Sequence, residues 1–172
     1  MKHEHAFIRE VFGEIYKPRD LEPIGEWAKR CIKLPTIEGE YAGLPYDVGR
    51  TPIIQHFFQW WQSEDSTYKH YVTMKGSQDG RTAAAIVATA YDFAHEPCST
   101  MYLSNTDDMA SAVGRFRFVP ILRQAAPEIN DAIDDSGEGA VFKVIKGALF
   151  LCSGGTVPTR LASWSLKKVH ID

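Results

Sequence analysis

The residues able to do chemistry gather in two places. The first is Lys75-Gly76-Ser77-Gln78-Asp79-Gly80-Arg81-Thr82, a polar turn with a cation near each end. The second is Asp172, about ninety residues later, directly after Val169-His170-Ile171. A glycine-bearing turn between a strand and a helix aims backbone N–H groups and a helix N-terminus at a phosphate. Gly80 lets the backbone pass close to such a group without a Cβ in the way. Thr82 supplies a hydroxyl suited to Mg²⁺, and an aspartate ending a neighbouring strand can hold the same ion from the other side. The usual phosphate-loop spelling places a lysine just before that hydroxyl residue. Here Arg81 fills the slot, and Lys75 stands where the chain enters the turn.

Several elements must position these groups. Tyr68 to Met74 reads as a short strand, and the alanine-rich stretch from about Arg81 to Ala94 as a buried helix. Cys98 to Leu103 is a second strand, closed by Ser104-Asn105-Thr106-Asp107-Asp108, which is capping chemistry for the next helix. That helix reaches Arg115-Phe116-Arg117-Phe118, and Pro120 opens a further short one. Val141–Ile145, a Lys146-Gly147 turn and Leu149–Cys152 predict a hairpin. In open α/β sheets ligands lie at the carboxyl ends of strands, so Asp172 is expected to face the same crevice as Thr82.

Upstream, residues 4–17 carry apolar side chains at helical spacing, and a second helix runs from Pro23 to about Ile32. Residues 36–51 read as a loop with two exposed aromatics, Tyr41 and Tyr46, either of which could stack on an adenine ring. Pro52 begins a helix, PIIQHFFQWWQ, whose aromatics are expected to be largely buried. The division expected is an N-terminal helical arm with an adenine-side loop (1–51) and a phosphate-loop nucleotide-binding core (52–172). Other charged groups have blander readings. His170 is expected buried or at an interface, Arg115, Arg117, Lys167 and Lys168 in solvent, and Ser153–Thr156 in a plain loop. The acidic stretch 130–139 has no metal-loop spacing.

Composition sets outer bounds. A chain of 172 residues, 44% hydrophobic and 24% charged, fits one α/β domain with a mainly parallel sheet between helical layers. A net charge of −3 does not advertise a nucleic-acid surface. Three widely spaced cysteines read as reduced thiols, and no run is long enough to span a membrane. The expected setting is the cytoplasm.

At the level of motifs the chain resembles the N-terminal part of the ATPase domain of GpA-type phage terminase large subunits, the motors that package viral DNA. The landmarks are EWAKRCIKLP, GRTPIIQHFF, KGSQDGRTAA as a variant Walker A, YLSNTDDMAS, RFRFVPIL, GGTVPTRLAS and KKVHID as the opening of Walker B. The resemblance implies a three-layer P-loop NTPase-like (RecA-like) fold, incomplete at the C-terminus. It makes Lys75 the phosphate lysine, with Gly76, Ser77, Gln78, Gly80 and Arg81 shaping the loop around ATP. Thr82 and Asp172 become the Mg²⁺ side. It also implies double-stranded viral DNA, a small terminase subunit and a portal as partners, in the cytoplasm of a bacterial host cell. Asp79 departs from the pattern, because a carboxylate there would oppose phosphate. A catalytic glutamate follows the Walker-B aspartate in the family, and this sequence stops at Asp172. Very slow hydrolysis or none is therefore expected of this polypeptide alone. Two alternatives stay open, a helicase-like ATPase half-domain and a truncated, non-hydrolysing prophage remnant.

Overall fold

The structure is a computed structural model that describes residues 21–63, 72, 80–125, 142–155 and 165–172. The expected helix at 4–17, the strand at 68–74 apart from Val72, and the acidic stretch at 130–139 lie outside these residues.

Helix α1 (Ile24–Cys31) follows Pro23 and buries Ile24, Trp27 and Ala28, the i, i+3, i+4 stripe of an amphipathic helix. Helix α2 (Ile53–Gln62) buries Ile54 and Phe58. Of the four aromatics expected to be largely buried, Phe58 is fully so. Phe57, Trp60 and Trp61 are half-buried, because a helix at the margin of a core turns only one stripe inward. The Gln62 side chain knits the two helices together. Its Oε1 accepts from Ile24 N at 3.0 Å, and its Nε2 donates to the Glu22 carbonyl and to the Tyr91 hydroxyl, both at 3.1 Å.

Helix α3 (Arg81–His95) is the central element. Every residue from Ala84 to Phe93 is buried. Alanines at 84, 85, 88 and 90 permit this, since short side chains let neighbours approach the helix from all sides. The polar Thr89 satisfies itself by donating to the Ala85 carbonyl at 2.8 Å.

The sheet has the order β2-β3-β1-β4, with β1 Thr100–Ser104, β2 Phe142–Ile145, β3 Ala148–Gly154 and β4 Lys168–Ile171. Strand β1 pairs in parallel with both β3 and β4, while β2 and β3 form the expected antiparallel hairpin. Ser104 lies opposite Gly154, and Leu103 opposite Ile171, so three strands end at one edge. Behind them Phe150 packs against Phe93 and Phe118, with ring centroids at 6.2 and 4.5 Å.

After β1, Thr106 caps helix α4 (Asp107–Val113) as its sequence predicts, accepting from Met109 N at 3.2 Å. The helix then widens into one π-type stretch, Gly114–Phe118, where Val119 N donates to the Gly114 carbonyl five residues back. Helix α5 (Val119–Ala125) continues directly and buries Ile121, Leu122 and Ala125. Gly154 meets the start of α4 closely, its N–H donating to Asp107 Oδ1 at 2.8 Å. A Cβ there would lie 2.4 Å from the Asp107 backbone nitrogen.

Lys168 is not solvated as its sequence context suggests. Its Nζ lies 2.7 Å from Asp92 Oδ2 and 4.3 Å from the centroid of the Trp61 ring. The aliphatic stem of Lys168 carries the ammonium from β4 to Asp92, near the carboxyl end of α3. Burial holds the Asp92 carboxyl above its ordinary value, and Lys168 and the Trp61 N–H only partly offset that.

Two outcomes are expected. Gly154→Ala should destabilise the fold by roughly 1–3 kcal/mol in urea unfolding, because backbone must move to admit the methyl group. Asp92 binds its proton more tightly folded than unfolded, so its contribution to stability declines as pH rises from the ordinary value of 3.8 through the raised folded value. The unfolding free energy of wild type minus that of Asp92→Asn should fall across that window and level off above it, as read from denaturation at a series of pH values.

Candidate functional site

The site forms where the first turn of α3 meets the carboxyl edge of the sheet. Gly80 caps α3 with φ 78°, a left-handed conformation natural to glycine. A Cβ would find ordinary room there, 3.8 Å from Thr51 Oγ1, so the backbone angle and not crowding selects glycine. Thr82 follows in the first turn of the helix. Its Oγ1 donates to Asp172 Oδ2 at 2.7 Å, bringing together two residues ninety apart in sequence. Asp172 is held in turn by its own backbone, whose N–H donates to the Leu103 carbonyl at 3.0 Å and extends the β1–β4 pairing by one step.

Sequence reading missed Tyr102. It sits on β1 with its ring buried, and its hydroxyl donates to the same Asp172 Oδ2 at 2.9 Å. Burial pushes its phenol up to about 12, so it remains a proton donor at neutral pH. Its ring stacks on His170 of β4 at 5.4 Å and meets Phe118 edge-on at 5.3 Å. Strand alternation could have placed Tyr102 and His170 on one face, yet only the register shows that Asp172 falls within reach.

Beside these groups opens a cleft of about 470 Å³. Thr82, Tyr102 and Asp172 form its polar end, while Met109, Val113 and Phe116 line its apolar wall. Arg117 also faces it, with Nε 3.3 Å from Glu38 Oε1, and is therefore less solvated than a free helix face would make it.

Among the residues singled out from sequence, Gly80, Arg81, Thr82 and Asp172 are brought to this corner. Lys75, Gly76, Ser77 and Gln78 lie outside the described residues. Tyr46 requires correction. It is only 8% exposed, and its ring packs 6.1 Å from that of Phe58. Tyr46 N donates to the Ile32 carbonyl at 2.9 Å, which folds the loop back and turns the ring into the core. It has no exposed face for an adenine. Tyr41 is the exposed aromatic of that loop, with the Arg50 guanidinium 5.6 Å from its centroid.

The donor set suits a hard divalent cation such as Mg²⁺. A hydroxyl oxygen and a carboxylate oxygen already touch at the end of an open cleft, and this ion takes one or two protein oxygens together with phosphate and water. Thr82 and Asp172 would hold it, and Tyr102 would keep the carboxylate oriented.

Replacing Tyr102 by Phe should leave the ring packing intact and remove only the hydroxyl. A double-mutant cycle with Asp172→Ala should then return a coupling of about 1 kcal/mol in denaturant unfolding. A coupling of zero would mean that the hydroxyl acts elsewhere.

A family model for the phage terminase large subunit gpA, ATPase domain, matches residues 44–172. The EWAKRCIKLP stretch lies ahead of the matched part, and the other landmarks lie within it. No curated protein and no solved structure gives a match. Among the described residues no helix is long and apolar enough to cross a membrane.

Proposed function

The chain belongs to the phage terminase large subunit gpA family through its ATPase domain, and from that premise we propose that it binds ATP with Mg²⁺ at the corner between α3 and β4. The observation that carries the reading is the 2.7 Å contact between Thr82 Oγ1 and Asp172 Oδ2, directly after a left-handed glycine at a helix start. A hydroxyl and a carboxylate in contact at the carboxyl edge of a parallel sheet are the groups a phosphate-bound metal needs. The reading extends to a P-loop, RecA-like core with residues 75–82 as a variant Walker A.

In this reading Lys75 and Arg81 neutralise phosphate charge from the two ends of the loop. Gly76, Ser77, Gln78 and Gly80 let the backbone wrap the phosphates. A metal bound with nucleotide would supply neutralisation of the phosphate charge. Thr82 and Asp172 would hold it, the Thr82 hydroxyl through a lone pair that leaves its proton free to stay on Asp172. Tyr102 retains its own hydrogen bond and keeps the carboxylate from swinging away. Within the intact subunit, nucleotide turnover would be coupled to movement of double-stranded viral DNA, with a small subunit and a portal as partners in the bacterial cytoplasm. The support for that larger role is the family membership.

Calorimetric titration with a non-hydrolysable ATP analogue, with Mg²⁺ and with EDTA, tests the site. Wild type should bind more tightly with Mg²⁺. Thr82→Ala should lose about tenfold of affinity with Mg²⁺ and little in EDTA, the effect of removing one ligand to the ion. Lys75→Ala should lose affinity in both conditions. Equal affinities for wild type and Thr82→Ala with Mg²⁺ would refute the assignment.

A further inference from the structure

We propose that Lys168 is a positioning residue, which with Asp92 and Trp61 fixes strand β4 against helix α3 so that Asp172 stays within reach of Thr82. The proposal rests on the reading of Thr82 and Asp172 as the metal side of a nucleotide site.

The same two elements are joined twice. At one end Thr82 of α3 meets Asp172, which directly follows β4. At the other Asp92 of α3 meets Lys168 of β4. From Thr82 to Asp92 is about 15 Å of helix at 1.5 Å per residue. From Lys168 to Asp172 is about 13 Å of strand at 3.3 Å per residue. The two lengths agree and run in opposite senses, so helix and strand lie antiparallel and are tied at both ends. Pairing with β1 sets how far β4 has advanced along the sheet, down to the Leu103–Ile171 step. It does not set how β4 leans toward α3. Side-chain contacts contribute to that, and two of them, Thr82–Asp172 and Asp92–Lys168, lie at the two ends.

The distal tie is built with more care than a surface ion pair. Trp61 Nε1 donates to both Asp92 oxygens, at 3.2 and 3.0 Å, which fixes the carboxylate plane from α2. The Lys168 ammonium reaches Oδ2 at 2.7 Å while lying over the Trp61 ring. Three elements thus converge on one carboxylate whose ionisation burial opposes. Pairs of this kind contribute little net stability, and their best attested use is to fix register. The reaction needs such a fix, because Asp172 has only its side chain with which to reach a ligand.

Two variants separate position from stability. Lys168→Met strands the Asp92 charge and should lower the unfolding midpoint. Asp92→Asn combined with Lys168→Met removes both charges, keeps an acceptor for Trp61 and should restore the midpoint. Both proteins should lose about tenfold of the Mg²⁺ enhancement of analogue binding, because small misplacements of a ligand are costly. Affinity in EDTA should not change. Recovery of the enhancement along with the midpoint in the double variant would reduce the pair to a structural role and overturn the proposal. So would an undiminished enhancement in Lys168→Met. A wild type with no Mg²⁺ enhancement, matched by Thr82→Ala, would instead remove the metal reading itself and this inference with it.

Discussion

A helix buried on every side cannot shift without disturbing all of its neighbours, and α3 is such a helix. Its interior stretch from Ala84 to Phe93 touches α1 and α2 on one flank and the helices after β1 on another. Close packing of this kind is stiff and passes strain on to its neighbours. Thr82 lies two residues, about half a turn, outside the buried stretch. Its position is therefore set by packing it takes little part in, and it is presented to the cleft as a fixed point.

Asp172 is fixed by different means. It follows a strand whose register with β1 is set by backbone pairing, and its carboxylate accepts from hydroxyls on two separate elements. The two donors are not equivalent. Tyr102 is buried and braced by His170 and Phe118, whereas Thr82 sits at the open cleft. In the proposed site a cation would enter from the cleft on the Thr82 side, while the buried Tyr102 hydroxyl would hold the carboxylate in place.

Much of this was legible before the structure. Helix α3 follows from its alanine run, the hairpin from its Lys146-Gly147 turn, and the α4 cap from Thr106. The pairing of Thr82 with the vicinity of Asp172 follows from the rule for carboxyl ends of parallel strands. What escaped was the identity of cross-element partners. Nothing local to Lys168 signals that its stem will cross Trp61 and end on a carboxylate seventy-six residues away. Tyr46 escaped for a related reason. Glycines and prolines around it indicate a loop, and only the backbone bond to Ile32 reveals that the loop doubles back on the core. Local chemistry announces elements, while long-range contacts decide which face of each is used.

The widened turn at Gly114–Phe118 has a consequence for the shape of the cleft. Ala110, Gly114, Phe118 and Leu122 are all buried, each four residues from the next. In an ideal α-helix each such step overshoots a full turn by about 40°, so three steps would drift by roughly 120°. The looser winding takes up part of that drift. One continuous rod can thereby keep its inward side on the sheet while its outward side carries Phe116 and Arg117 along the cleft. The wide turn works as a phase corrector, and the width of the cleft is written into the pitch of its wall.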